Sequence, residues 1–221
     1  MIAFGEAPFW VTAGEQIAGR GRMGRGWSSP PGNLYASHAF RPSVDAARWP
    51  ELALVAAVAV RRAIVAASGP DAIRLKWPND LMLDGAKLAG LLLDASDGTV
   101  ILGAGINVES HPGNAIYPAT DLSAHGLELG SLFEVLYREV EASIAAWNEG
   151  GFAPFRSEWL AHAHGLGAFA RVRTPHSVVE GIAETVDPGG RLVLRTNHGM
   201  KALTAGDWLP GPNGSEQHGE G

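Results

Sequence analysis

Two Asp-Gly pairs, Asp84-Gly85 and Asp97-Gly98, punctuate the middle of this chain and decide much of what it can become. They separate the apolar runs Leu81-Met82-Leu83, Leu88–Leu93 and Val100-Ile101-Leu102. Asp-Gly between such runs favours a tight hairpin turn, because both central residues tolerate φ > 0. The centre is therefore a set of adjacent strands. Phe9–Ala13, Leu34–Phe40 and Ile73–Trp77 read as further strands. Helices flank them. Pro50 suits the first turn of a helix that runs to Ser68, where Gly69-Pro70 stops it. Ser131 with Glu134 has the form of a capping box. Leu132, Val135, Leu136, Val140, Ile144 and Trp147 then recur at helical spacing up to Gly150-Gly151. Phe152 to Ala163 reads as a second helix of this region.

After Gly165 the period changes. Short strands are expected near Phe169–Thr174, Val178–Val186, Arg191–Thr196 and Met200–Thr204. Turns fall at Asp187-Pro188-Gly189-Gly190 and Asn197-His198-Gly199. The pattern predicts an α/β fold with two units. Residues 1–166 form a mixed sheet backed by helices, and residues 167–210 a small SH3-like β-barrel. Residues 211–221, rich in Gly, Pro, Ser and Glu, form a disordered tail.

With 221 residues, 46% of them hydrophobic, the chain has material for a sizeable core. No cysteine is present, which removes disulfides, thiolate metal sites and a cysteine nucleophile. The net charge of −6 argues against a general nucleic-acid binder. The apolar stretch Leu52–Ser68 is broken by Arg61-Arg62 and falls short of a membrane span, so a cytoplasmic location is the default. His162 and His164 do not share the spacing of a one-face metal pair, and no protein-bound metal is expected.

Against that acidic background, Gly19–Trp27 places Arg20, Arg22 and Arg25 among four glycines and ends in a tryptophan. Glycines let the backbone approach a ligand closely, and guanidinium forks fit phosphate and carboxylate oxygens. The run reads as an anion clamp beside a flat ring, suited to a nucleoside triphosphate or an acyl-adenylate. A solvated basic turn, or an Arg-Gly segment that binds RNA, would use the same residues.

Two further runs give the clamp its context: Lys76-Trp77-Pro78-Asn79-Asp80 followed by Lys87-Leu88-Ala89-Gly90, and then Gly103-Ala104-Gly105-Ile106-Asn107-Val108. In order, spacing and wording the three runs resemble the catalytic domain of bacterial biotin protein ligases. The resemblance extends from about Gln16 to Asn107 at motif level, and more weakly to Leu209. It implies a class II synthetase-like domain, an ATP-dependent reaction through biotinyl-5′-adenylate, and transfer to a lysine of a biotin carboxyl carrier protein. It implies magnesium (Mg2+) arriving with ATP, biotin as co-substrate, and no nucleic-acid or membrane partner; a homodimer is left open. A lipoate-type acyl ligase of the same superfamily, or a non-catalytic relative that binds adenylate, remains the alternative.

The same resemblance assigns residues. Gln16 matches a biotin ureido contact. Arg20, Gly21 and Arg22 match positions on biotin and its activated carboxyl. Lys87 matches a lysine on that carboxyl and the α-phosphate. Trp27 and Asn107 match positions near the adenylate and its adenine, and Lys76 and Arg25 fall with them on the nucleotide side. The residues themselves admit plainer roles. Trp27 could be a core aromatic, Lys87 a solvent-exposed hairpin lysine, Gly90 a simple bulge and Asn107 a strand-end polar group. Asn79 can donate and accept, so it could read adenine or ribose edges. Asp80 could orient an incoming lysine amine, or cap a turn. Lys87, Arg20 and Asp80 are the catalytic candidates. The sequence as given has no Ser-Thr-Asn-like segment ahead of Gln16 and no helix-turn-helix domain; either it starts inside a longer protein or part of the biotin pocket is lost. Weakened ureido recognition and no repressor role are therefore expected.

Overall fold

The computed structural model describes residues 7–113 and 117–209. A six-stranded sheet carries the order β1-β2-β6-β5-β4-β3, from β1 (Phe9–Ala13), β2 (Leu34–Phe40), β3 (Arg74–Lys76), β4 (Asp80–Leu83), β5 (Ala86–Ser96) and β6 (Thr99–Ile106). All neighbouring strands pair antiparallel. The parallel component is confined to single bridges, Leu75 with Ala163 and Lys87 with Ala119. Both Asp-Gly pairs form the hairpin turns, with φ of 51° and 78° at Asp84 and Gly85 and 51° and 76° at Asp97 and Gly98.

Strand β6 shows how the sheet divides its faces. Val100, Leu102, Ala104 and Ile106 are buried against the helices, while Ile101, Gly103 and Gly105 face the other way. Helices α1 (Leu52–Ala66), α2 (Leu129–Gly150) and α3 (Ala153–Ala161) join that one core. Alanines and valines on α1 let it lie close to the sheet, and it is buried along almost its whole length. Trp147 on α2 is fully buried, and its indole N–H donates to Glu51 at 2.7 Å.

Some boundaries differ from those the sequence suggested. Pro50 sits inside a 3-10 turn, Ala46–Glu51, that precedes α1, and not in the first turn of α1 itself. The Ser131–Glu134 capping box does not form. Helix α2 starts at Leu129 without a side-chain cap, and Glu134 instead pairs with Arg138 one turn on. Helix α3 stops at Ala161 because residues 162–164 turn to bond β3, with Leu75 N donating to His162 O and His164 N to Leu75 O, both at 2.8 Å.

The second sheet holds β7 (Phe169–Arg173), β8 (Val178–Val186), β9 (Leu192–Thr196), β10 (Gly199–Leu203) and β11 (Asp207–Leu209) in the order β10-β9-β8-β7-β11. It is a small antiparallel β unit whose ladder stays open between β10 and β11 among the described residues. Strand β11 is absent from the sequence reading; three residues make no periodic signal, and it exists only by pairing with β7. The tail 211–221 lies outside the described residues. The β8–β9 turn seats this unit on the first. Trp77 Nε1 donates to Gly190 O at 3.1 Å, and Arg156 Nε to Val186 O at 2.7 Å.

Candidate active site

The face of the large sheet turned away from the helices holds a cavity of about 700 Å³. Its floor is set by glycine. Gly90 on β5 and Gly105 on β6 are cross-strand partners, and the Trp27 ring lies across them. A methyl group added to Gly105 would sit 2.7 Å from Trp27 Nε1, and one on Gly90 3.1 Å from Cζ3. No side chain fits between this floor and the indole. Trp27 Nε1 is buried against the Gly105 floor with no hydrogen-bond partner among the described residues.

Lys87 and Gly90 are three residues apart, and strict alternation would put them on opposite faces. A bulge resolves this. The β4–β5 register shifts between Leu81 and Met82, so Leu81 pairs with Ala89 while Met82 pairs with Lys87. Lys87 thereby joins Gly90 on the cavity side, with its Nζ 5.3 Å from the centre of the Trp27 ring and 2.6 Å from Asp80 Oδ1. Both partners are partly buried.

The glycine-arginine run folds back on itself above this floor. Arg20 bridges Gly26, Gly21 N donates to Arg25 O at 2.7 Å, and Trp27 N donates to Gly19 O at 2.9 Å. Gln16 Oε1 accepts from the buried Ser29 hydroxyl at 2.7 Å, which ties the entrance of the loop to its exit. Arg22 donates to Asn79 Oδ1 at 3.3 Å and to Gly206 O at 3.0 Å. Arg25 donates to Asp207 Oδ1 at 2.8 Å, and Arg22 lies 3.9 Å from the same oxygen. The clamp thus closes on an internal carboxylate supplied by the second sheet. Burial lowers the Arg22 pKa from its ordinary value, opposed by the Asp207 and Asp80 charges. Burial lowers that of Lys76 as well, and its ammonium lies 5.6 Å from the Tyr117 ring centre.

All the residues singled out in the sequence come together here: Gln16, Arg20, Gly21, Arg22, Arg25, Trp27, Lys76, Asn79, Asp80, Lys87, Gly90 and Asn107 line the one cavity. Both asparagines are engaged with backbone. Asn79 Nδ2 donates to Leu91 O, and Asn107 Nδ2 donates to Thr120 O at 2.9 Å. Their amides hold the walls in place. Sequence reasoning missed Asp207 and Trp208 from the second unit, and Tyr117 and Ala119 from the segment after β6. Nothing local marks these residues; they reach the cavity through pairing with distant strands, as when Lys87 N donates to Pro118 O and Thr120 N to Lys87 O.

An arginine loop, a lysine and a glycine floor converge in one cleft, which makes it a cationic site suited to an anionic ligand. The family comparisons agree. The model for the biotin/lipoate A/B protein ligase family matches residues 2–109, and that for the biotin protein ligase C-terminal domain matches residues 171–207. The chain is 35% identical to a biotin–[acetyl-CoA-carboxylase] ligase of Paracoccus denitrificans, over 90% of this chain and 88% of that one. It is 34% identical to a ligase of the same name from Mycobacterium tuberculosis, over 89% and 77%. A solved biotin protein ligase of Aquifex aeolicus, in complex with biotin and ATP, superposes with a TM-score of 0.84 at 25% identity, covering 94% of this chain and 90% of that one. The chain belongs to the biotin protein ligase family.

Proposed function

We propose that the protein is an ATP-dependent biotin protein ligase that forms biotinyl-5′-AMP and transfers biotin to a lysine of a carrier protein. The observation that carries this reading is the convergence of all three motifs on one cleft, with Lys87 beside the Gly90–Gly105 floor and the arginine loop over it.

In the first step a biotin carboxylate oxygen attacks the α-phosphorus of ATP, and the bond to pyrophosphate breaks. Both reactants are anions, so the site must hold positive charge where they meet. Lys87 and Arg20 supply it, and Arg22 and Arg25 turn from Asp207 to the phosphates. Trp27 packs against the adenylate. Lys76, Asn79 and Asn107 shape the nucleotide side, while Gln16, Gly21 and Gly90 shape the biotin side. In the second step the neutral ε-amine of the carrier lysine attacks the adenylate carbonyl carbon, AMP leaves with the bonding pair, and the amine proton is lost. Asp80, released from Lys87, orients that amine.

Magnesium enters with ATP. The two cavity carboxylates nearest the cationic groups, Asp80 and Asp207, are each paired to a cation. The ion would be held mainly by the phosphates of ATP. We further take residues 1–166 as the catalytic unit and 167–210 as an appended unit that lends Asp207 to it. No described helix is long and apolar enough to cross a membrane, and a reaction that consumes ATP suits the cytoplasm.

Purified protein given ATP, biotin and a biotin carrier domain should release pyrophosphate and label the carrier, whereas lipoate in place of biotin should not support transfer. Labelling with lipoate, or nucleotide binding without pyrophosphate release, would overturn the reading.

A further inference from the structure

Strand β6 stops pairing with β2 at Ile106, opposite Leu34. Beyond it, three successive backbone N–H groups share one side-chain oxygen. Asn33 Oδ1 accepts from Val108 N at 2.8 Å, from Glu109 N at 3.0 Å and from Ser110 N at 3.2 Å. The other end of the same amide, Nδ2, donates to Ser110 O at 2.9 Å. Asn33 is 3% exposed, and its bond to Val108 N is buried, so losing that acceptor would leave a buried N–H unpaired. Glu109 N adds a backbone bond to Gly32 O at 3.3 Å.

This clasp lies outside the cavity wall, next in sequence to Asn107, which lines it. A few residues before it, Ser29 anchors the end of the arginine loop. Just ahead of the clasped backbone lies Asn107, and just after it the segment that brings Tyr117 and Ala119 to the wall. The far end of that segment is fixed to Lys87. Its near end is held by the Asn33 amide and the Gly32 carbonyl, with Leu122 N donating to Val108 O at 3.1 Å and His111 Nδ1 lying 2.7 Å from Asp121 Oδ2.

We propose that Asn33 is a positioning residue for nucleotide binding. It touches no reacting atom, and it sets the backbone from which Asn107 and the segment after it face the cavity. The assignment rests on the reading that this side of the cavity takes the adenine nucleotide. Asn33→Ala removes all four bonds. Asn33→Asp keeps the shared acceptor but sets an oxygen against the Ser110 carbonyl, where a donor is needed, so its effect is smaller.

Calorimetric titration of wild type and both variants with a non-hydrolysable ATP analogue, and separately with biotin, tests this. In Asn33→Ala the nucleotide should bind at least tenfold more weakly with biotin affinity changed less than threefold, and Asn33→Asp should fall between it and wild type. A folded Asn33→Ala protein with nucleotide affinity within threefold of wild type overturns the role, as does equal weakening of both ligands. If the alanine variant does not fold, Asn33→Asp decides alone, and an unchanged nucleotide affinity overturns it. Wild-type protein that binds no nucleotide would remove the nucleotide reading itself, a result distinct from any variant's.

Discussion

Asp207 on the last strand of the small sheet lies 2.8 Å from Arg25 on the glycine-arginine loop, and it is the anion on which the clamp closes. The carboxylate is nearly buried, whereas Arg25 is 45% exposed, so solvent weakens the pair and its worth is about 1 kcal/mol. Asp207→Asn should therefore loosen the unliganded loop. Amide exchange at Gly21 and Trp27, whose N–H groups close it, should quicken roughly fivefold. Unchanged exchange would mean that the backbone bonds alone hold the loop.

Lys87→Ala and Arg20→Ala should each slow adenylate formation by about a hundredfold or more if, as proposed, both cations face charge that builds in the transition state. The melting temperature should move little, since Lys87 is only partly buried and Arg20 is exposed. Pyrophosphate release in single turnover reads the first effect and thermal unfolding the second. A variant with wild-type release would remove that residue from the chemistry.

Gly105→Ala tests the floor. The added methyl would sit 2.7 Å from Trp27 Nε1 and 2.8 Å from Cε2, so the indole has to lift. Overpacking of this kind costs about 1–3 kcal/mol. Strand β6 stays buried on its other face, so the protein should fold, with activity lost and Lys87 deprived of the ring beside it. An active Gly105→Ala enzyme would show that Trp27 leaves the floor during turnover.

His38 gives a pH dependence unconnected to the cavity. Its ring stacks between Trp10 and Phe40, with centroids 4.5 and 4.8 Å away, and its Nε2 lies 3.2 Å from Glu141 Oε1. Burial holds its pKa below the ordinary 6.5, and the Glu141 charge only partly offsets this. As pH falls through about 6.5 the unfolded chain takes the proton before the folded one does, so acid disfavours folding from there down. Urea midpoints should drop between pH 7.5 and 5.5, and His38→Phe should flatten part of the drop. His162 and His164 are shifted the same way, so some slope should remain. An unaltered slope in His38→Phe would exclude it as a source.

What could be read from the sequence was whatever local chemistry determines. Strands β1, β2 and β8 fall on the residues their patterns mark, and the Asp-Gly turns sit where φ > 0 is required. The arginine, lysine and asparagine positions converge because their motifs are short and contiguous. What escaped depends on partners far away in the chain. Lys87 and Gly90 share a face only because of a bulge, which period-2 alternation cannot foresee. Ser131 and Glu134 have the spacing of a cap, yet the helix begins two residues earlier. Asp207 and Asn33 carry no signature of their own: each acquires its place from a strand or loop that arrives from elsewhere.

The bond from Trp77 to Gly190 bears on how freely the two sheets can be exchanged between related proteins. Trp77 interrupts the very run that holds Lys76, Asn79 and Asp80, and its indole is satisfied by the carbonyl of a foreign turn. A transplanted C-terminal sheet with a differently shaped turn would leave that buried N–H unmet, beside the residues that line the cleft. Recombination at the junction must therefore carry the seat together with the piece that sits in it.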